Sequence, residues 1–219
     1  MKQVRNHDGQ YLWRFGLQSA DVRGNSDVIL VWMMATRKSV DVDRYVALLR
    51  AVNVGKANRI HMASLCKVMV DEGFTGAKSH LQSGNLVFGW EGSSQDIQAT
   101  LEGLIFEHFR LAIAVTLRPA QEFSKLVSIP PFELQPAEED NLYVTFLSKP
   151  IDAHEVGSHV ARGARDNDYR IVGSEVFVHC RGPYHLSNLG NSFWERVSGG
   201  SATTRRWSTV VKLAALADG

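Results

Sequence analysis

Cysteine is nearly absent. The 219 residues hold two, Cys66 and Cys180, far apart and outside any Cys-x-x-Cys pair. A disulfide framework or a four-ligand zinc site needs more of them at closer spacing. Both read as small buried hydrophobes of the kind a reducing cytosol permits. Long apolar runs are missing too, none approaching the ~18 residues of a membrane span. The longest early run, Val28 to Met34, follows Asp27 and has no small-residue cleavage site behind it, so it is a poor secretory signal. An excess of charge of one sign is the third absence. Lys and Arg number 24 against 23 Asp and Glu, a net charge of +1 that pulls the chain toward neither DNA nor acidic lipid. What remains is a cytoplasmic globular protein, with no membrane association and no metal or cofactor expected.

What is present fits that class. Hydrophobic residues make up 44% and charged residues 21%, which argues against disorder. A chain of 219 residues lies between one large domain and two small ones, and can bury a core without staples. Residues 1–42 scatter Gly, Asn, Asp and Arg among isolated aromatics (Tyr11, Trp13, Phe15) without a sustained period, and read as an irregular N-terminal extension. Met33 and Met34 stand just upstream of the patterned sequence and suggest a start there, which leaves residues 1–33 outside the native protein. The alternative is an arm that docks Trp13 and Phe15 on the domain. The extension carries six Lys/Arg and four Asp/Glu, so residues 43–219 have a net charge of −1. A general nucleic-acid role is correspondingly weak.

From Arg44 the pattern is regular. Residues 44–49 form an apolar run read as a buried strand. Met62, Leu65, Cys66, Met69 and Val70 share one helical face that Gly73 can end. Strands over 77–82 and 85–90 join through Ser83-Gly84. Ser94 is placed to cap a helix carrying Ile97, Leu101, Leu104, Ile105 and Phe109, before a strand over 113–117 and a helix over 120–128. A breaker-rich segment, 129–140, reads as a Pro/acidic linker. The same order then returns: a strand over 142–147, a helix opened by Asp152 with Glu155, strands over 169–172 and 175–180, a helix marked by Leu186, Leu189, Phe193 and Val197, a strand over 202–205 and a terminal helix. The predicted fold is α+β, a tandem duplication of a ferredoxin-like split β-α-β unit, with antiparallel or mixed sheets and helices on one face. The repeats span 43–128 and 141–219.

Particular residues carry a family resemblance. Arg44-Tyr45-Val46-Ala47-Leu48-Leu49-Arg50, Asn53-Val54-Gly55, Asn58, Ile60, Met62, Leu65, Gly73-Phe74 and Gln82-Ser83-Gly84-Asn85 resemble a widespread bacterial family known as domain of unknown function 1697. Ala202-Thr203-Thr204-Arg205, Trp207, Thr209-Val210 and Lys212-Leu213 are similar to its closing motif. The resemblance implies an α+β fold and a soluble bacterial protein, and brings no activity. The chain departs from the family pattern at Lys56 and Ala57, and at Arg206 and Ser208 on either side of Trp207.

Two clusters are candidates for chemistry. The first follows the opening strand: Arg50, Asn53, Gly55, Lys56, Asn58 and Arg59, with no acid between Asp43 and Asp71. Cations and backbone N–H groups at a helix entry make an anion site. The spacing is not that of a P-loop. In a split β-α-β the first two strands run parallel, so Gln82, Ser83 and Asn85 emerge at the same end and can face the basic loop. The competing view is that Asn and Gly only solve turn geometry. The second cluster is Thr203, Thr204, Arg205, Arg206, Trp207 and Thr209, with no acid between Glu195 and Asp218; helix capping and a Trp anchor are the plain alternative. His154 and His159 do not share a helical face, Asp166-Asn167-Asp168 lacks the rest of a calcium loop and reads as a turn, and Ser83 lacks a nucleophile elbow. The leading expectation is a ligand- or partner-binding module for a small anion. Its rivals are an enzyme acting on a phosphorylated or nucleotide-like molecule, and single-stranded nucleic acid stacked on Tyr143 and Phe177, for which burial of that face between the repeats is the expected fate.

Overall fold

The computed structural model describes residues 2–5, 11–14, 42–128, 132, 139–151, 156 and 167–219. These belong to two compact units, Met1–Val40 and Asp41–Gly219. In the smaller unit, strands β1 (Lys2–Arg5) and β2 (Tyr11–Arg14) pair antiparallel with Gln3 opposite Trp13. Periodicity gives no sign of that pairing.

The larger unit opens with β3 (Asp43–Leu49), whose residues from Tyr45 to Leu49 are all at most 5% exposed. A strand covered on both faces needs a continuous apolar run rather than alternation. Next comes α1 (Met62–Asp71), which buries Met62, Leu65 and Met69. It ends where Gly73 takes φ +94°, with Gly73 N donating to Val70 O and Phe74 N to Met69 O, a Schellman closure. The remaining elements of this half are β4 (Thr75–His80), β5 (Asn85–Trp90), α2 (Ile97–Phe109), β6 (Val115–Pro119) and α3 (Ala120–Ser128). The other half holds β7 (Leu142–Leu147), β8 (Asn167–Val172), β9 (Glu175–Cys180), α4 (Asn191–Ser198), β10 (Ala202–Arg206) and α5 (Trp207–Asp218).

Each half builds a four-stranded antiparallel sheet, ordered β4-β5-β3-β6 and β10-β7-β9-β8. In both, the first and third strands of the half are central and the second and fourth lie at the edges, the order of a split β-α-β unit. The chain is α+β with a repeated sheet unit. The backbone repeats in detail: Leu49 N donates to Gly84 O as Leu147 N does to Ser174 O, and Arg50 N to Ala114 O as Ser148 N does to Ser201 O.

Three cores result. Tyr45, Ala47, Leu49, Leu86 and Phe88 face α1 and α2. Leu147, Val176, Val178 and Cys180 pack with Phe193 and Trp194 of α4. Between the sheets, Val46, Leu48 and Val87 share a third core with Leu142, Val144, Phe146 and Phe177. The closing helices fill that middle layer: Phe123 of α3 stacks on Phe146 at 5.2 Å, and Trp207, Val210 and Leu213 of α5 join it. Each buried side chain of this size stabilises by roughly 1.5–3 kcal/mol, so the layer holds the halves together.

Several expectations need correction. Ser94 does not cap α2; Asp96 occupies the N-cap position and makes no side-chain cap bond. The helix expected from Leu186 begins only at Asn191, because Gly190 is extended (ψ 179°) and Leu186 belongs to a 3-10 turn, Tyr184–Leu186. Asn167 and Asp168 open β8 rather than a turn. The capping pair Asp152 and Glu155, His154, His159, Asp166 and most of the 129–140 linker lie outside the described residues. Tyr143 and Phe177 do not share a face, since the register sets Val144 against Phe177 and Tyr143 against Val178. Phe177 is 1% exposed in the middle layer and Tyr143 stacks on Tyr184 at 4.3 Å, so the base-stacking platform is missing. No helix among the described residues is long and apolar enough to cross a membrane.

Candidate functional site

The loop after β3 is wound by its own amides. Asn53 donates from Nδ2 to Ile60 O (2.9 Å) and Gln82 O (2.7 Å), while its Oδ1 accepts from Ile60 N (3.0 Å). Asn58 donates to Ala51 O (3.1 Å). These bonds bring the loop against the 82–85 turn, as the parallel run of β3 and β4 requires. Ala51, Asn53, Asn58 and Leu81 all have φ between +48° and +61°, a left-handed region that costs non-glycine residues about 1–2 kcal/mol each. Gly84, at φ +74°, is required for a second reason too: a Cβ there would lie 2.6 Å from Leu49 Cβ. Gly55, Lys56, Arg59, Gln82 and Ser83 are exposed.

Arg50 turns away from the loop to Glu195 of α4, donating from Nε to Oε1 (2.5 Å) and from Nη2 to Oε2 (2.8 Å). Burial opposes ionisation of Glu195, but Arg50 and the Ala202 amide outweigh it and hold its pKa below the ordinary carboxylate value. Arg50 is therefore a tie between the halves, neutralised where it stands.

The two clusters, separate in sequence, meet at Arg205. Its Nε donates to Asn85 Oδ1, its Nη1 to Thr203 Oγ1 (2.7 Å) and Thr204 O (2.9 Å), and its Nη2 to Leu49 O (2.9 Å) and Ser83 O (3.1 Å). Asn85, fully buried, donates in turn to His80 O (2.8 Å) and Ser83 Oγ (3.1 Å). Among the described residues no carboxylate pairs with Arg205. Burial pulls its pKa down to about 10, so it stays cationic at neutral pH with its charge carried by dipoles alone. His80, whose carbonyl accepts from Asn85, has its pKa lowered by burial and by the charge of Lys212. Thr204, Trp207 and Arg206 of the second cluster have partners within the protein. Thr204 Oγ1 donates to Asn191 and bonds Thr145 and Tyr184, Trp207 is 5% exposed in the middle layer, and exposed Arg206 lies over the Tyr143 ring. Thr209 sits half-buried one turn into α5.

An equivalent bridge runs the other way. Arg118, at the end of β6, donates from Nη2 to Leu147 O (2.7 Å), from Nη1 to Leu117 O (2.8 Å), and from Nε to Glu175 Oε1 (2.7 Å). Leu147 and Glu175 hold the positions in the second half that Leu49 and Asn85 hold in the first. The geometry repeats; the charge does not. Burial raises the pKa of Glu175 although Arg118 pulls against it, as expected of a carboxylate taken out of water. Beside this bridge lies a groove of about 500 Å³ lined by Glu122, Lys125, Leu126, Val172, Gly173, Glu175 and Phe177. Sequence reasoning missed His80, the pairing of Glu195 with Arg50, and the Arg118–Glu175 pair. Aligning the repeats residue by residue, with Arg118 on Arg205, is the signal that finds the last.

Comparison with known proteins agrees with this architecture. The conserved bacterial protein SP0830 from Streptococcus pneumoniae has a similar structure, with a TM-score of 0.62 at 19% identity over 81% of this chain and 99% of that one. At that identity the likeness shows the fold alone. No match was found among curated proteins. Residues 42–177 match the family described as "Protein of unknown function (DUF1697)", a stretch that ends before the closing Thr-Thr-Arg motif. The chain therefore belongs to the DUF1697 family.

Proposed function

We propose that the protein is a binding module of the bacterial cytoplasm for a small anionic ligand, phosphorylated or nucleotide-like, taken where the 53–59 loop meets the 82–85 turn. The observation that carries this reading is Arg205, a buried cation whose acceptors are all neutral. The Arg118 bridge supplies the comparison: the same hydrogen bonds, made for packing, come with a carboxylate. Exposed Lys56, Arg59 and Lys212 add positive charge, and Glu195, which reaches the same end, is neutralised by Arg50. Cations without local acids concentrate anions. The left-handed Ala51 and Leu81 support the reading too, because strain of this kind persists where a surface is shaped for a task.

Thermal unfolding in millimolar nucleotides and sugar phosphates tests the reading. A ligand present at a hundredfold its Kd adds about 2.7 kcal/mol, a shift of several degrees. Arg59→Ala should shrink that shift. No response to any of these ligands, with Arg59→Ala equally silent, refutes the proposal. A catalytic reading of the same site rests on His80, which its surroundings keep neutral at pH 7 and able to accept a proton. Turnover of a phosphomonoester that stops in His80→Gln would put that reading first.

A further inference from the structure

The groove beside the Arg118 bridge carries more charge than the bridge uses. One wall is α3, which supplies Glu122, Lys125 and Leu126. The other is the β8–β9 hairpin, where the register sets Val172 opposite Glu175 and Phe177 follows on the same face of β9. At about 500 Å³ it falls within the roughly 300–1,000 Å³ of clefts that hold small organic molecules. Val172 is 48% exposed and offers apolar surface to an entering ligand.

Three charged side chains line this space. Glu175 accepts from Arg118 Nε at Oε1 (2.7 Å), and its Oε2 has no side-chain partner among the described residues. Glu122, half exposed, comes only within 3.8 Å of Arg118. Burial raises the pKa of Glu175 against Arg118, and the charge of Glu122 raises it further, so the two carboxylates repel. Lys125 stands three residues after Glu122, a spacing that makes helix neighbours, yet it forms no ion pair among the described residues. An ammonium group between the carboxylates relieves their repulsion, and a ligand carboxylate takes the charge of Lys125. With Arg118 counted, the two acids and two bases cancel, so a ligand without net charge leaves the site balanced.

We propose that this groove binds an apolar α-amino acid, with its ammonium between Glu122 and Glu175, its carboxylate on Lys125, and its side chain on Leu126, Val172 and Phe177. The two charged groups of an α-amino acid share one carbon, which suits opposite charges presented three residues apart on a helix. A plain amine leaves Lys125 unmatched, and a plain carboxylate meets two acids. The site is separate from the anion site proposed above, and neither depends on the other.

L-phenylalanine is the probe, titrated into the full chain and followed by calorimetry and by amide NMR shifts. Saturable binding that moves the Val172 and Gly173 amides is expected. Glu122→Gln and Lys125→Ala, both at exposed positions, should each weaken it about tenfold, the worth of one hydrogen bond to a charged group. Val172→Arg sets a long charged chain at the mouth and should abolish it. Phenethylamine, which lacks the carboxylate, should bind about tenfold more weakly than phenylalanine and be indifferent to Lys125→Ala. Phenethylamine binding as tightly as phenylalanine overturns the assignment to an amino acid. Binding that Glu122→Gln and Val172→Arg leave unchanged overturns the site, and so does a wild-type chain that takes up none of phenylalanine, leucine and methionine.

Discussion

His80, at the end of β4, feels the charge of Lys212 on α5, and this has a consequence in pH. Burial first, and the lysine charge second, keep the folded-state pKa of His80 below its ordinary 6.5. A depressed histidine contributes fully above the unfolded value and loses that contribution as pH falls from about 6.5 through the folded pKa. The unfolding free energy should therefore drop between pH 7 and pH 5 more steeply in wild type than in His80→Gln, measured by urea titration at each pH. Saturating phosphate should raise the His80 pKa, read from its imidazole NMR shifts, because an anion nearby favours the imidazolium. Equal pH slopes in the two proteins would remove His80 from the site. At this scale the sequence was legible in part. The turn does meet the loop, through the Asn53 bond to Gln82 O, while Asn85 turns inward to Arg205. The contacts with the other half, Arg205 to Asn85 and Arg50 to Glu195, span 120 and 145 residues, which no local pattern announces.

Elements were easier to read where burial imposes a period. β5, α3, β7 and β9 fall on the residues expected because an apolar run or a helical stripe bounded by turn residues leaves little freedom. Errors gathered at helix starts, where apolar spacing continues past the true end: Leu186 and Leu189 fit the stripe of α4 but precede its extended Gly190. The loop between β3 and α1 is an element in its own right, held by Asn53. Asn53→Ala removes three hydrogen bonds at ~1 kcal/mol each and places alanine at φ +56°, so a loss of roughly 3–4 kcal/mol is expected by denaturant unfolding. Asn53→Gly loses the same bonds without the backbone penalty and should be less destabilising than alanine by about 1 kcal/mol. If the two variants unfold alike, the left-handed geometry is not what the asparagine serves.

For the whole molecule, duplication could be read from the order of elements, and burial of the open sheet faces between the repeats follows from each sheet having apolar residues on both sides. Which residues cross between the halves could not be read, because that depends on where α3 and α5 are laid down. Each fourth strand and the helix after it end in the service of the other half: Phe123 stacks on Phe146, Arg118 reaches Leu147 and Glu175, and Arg205 reaches Leu49 and Asn85. The exchange makes the chain behave like two interlocked subunits whose covalent join is a convenience. Cutting between Ser128 and Glu139 should leave a noncovalent pair that elutes as one species and unfolds in one transition. Fragments 1–132 and 139–219 made separately should aggregate alone and become soluble when refolded together. Two fragments that fold independently would mean that the middle layer is an interface between finished domains; mutual rescue would mean that neither half has a native state of its own, and that the Arg205 network exists only once both have arrived.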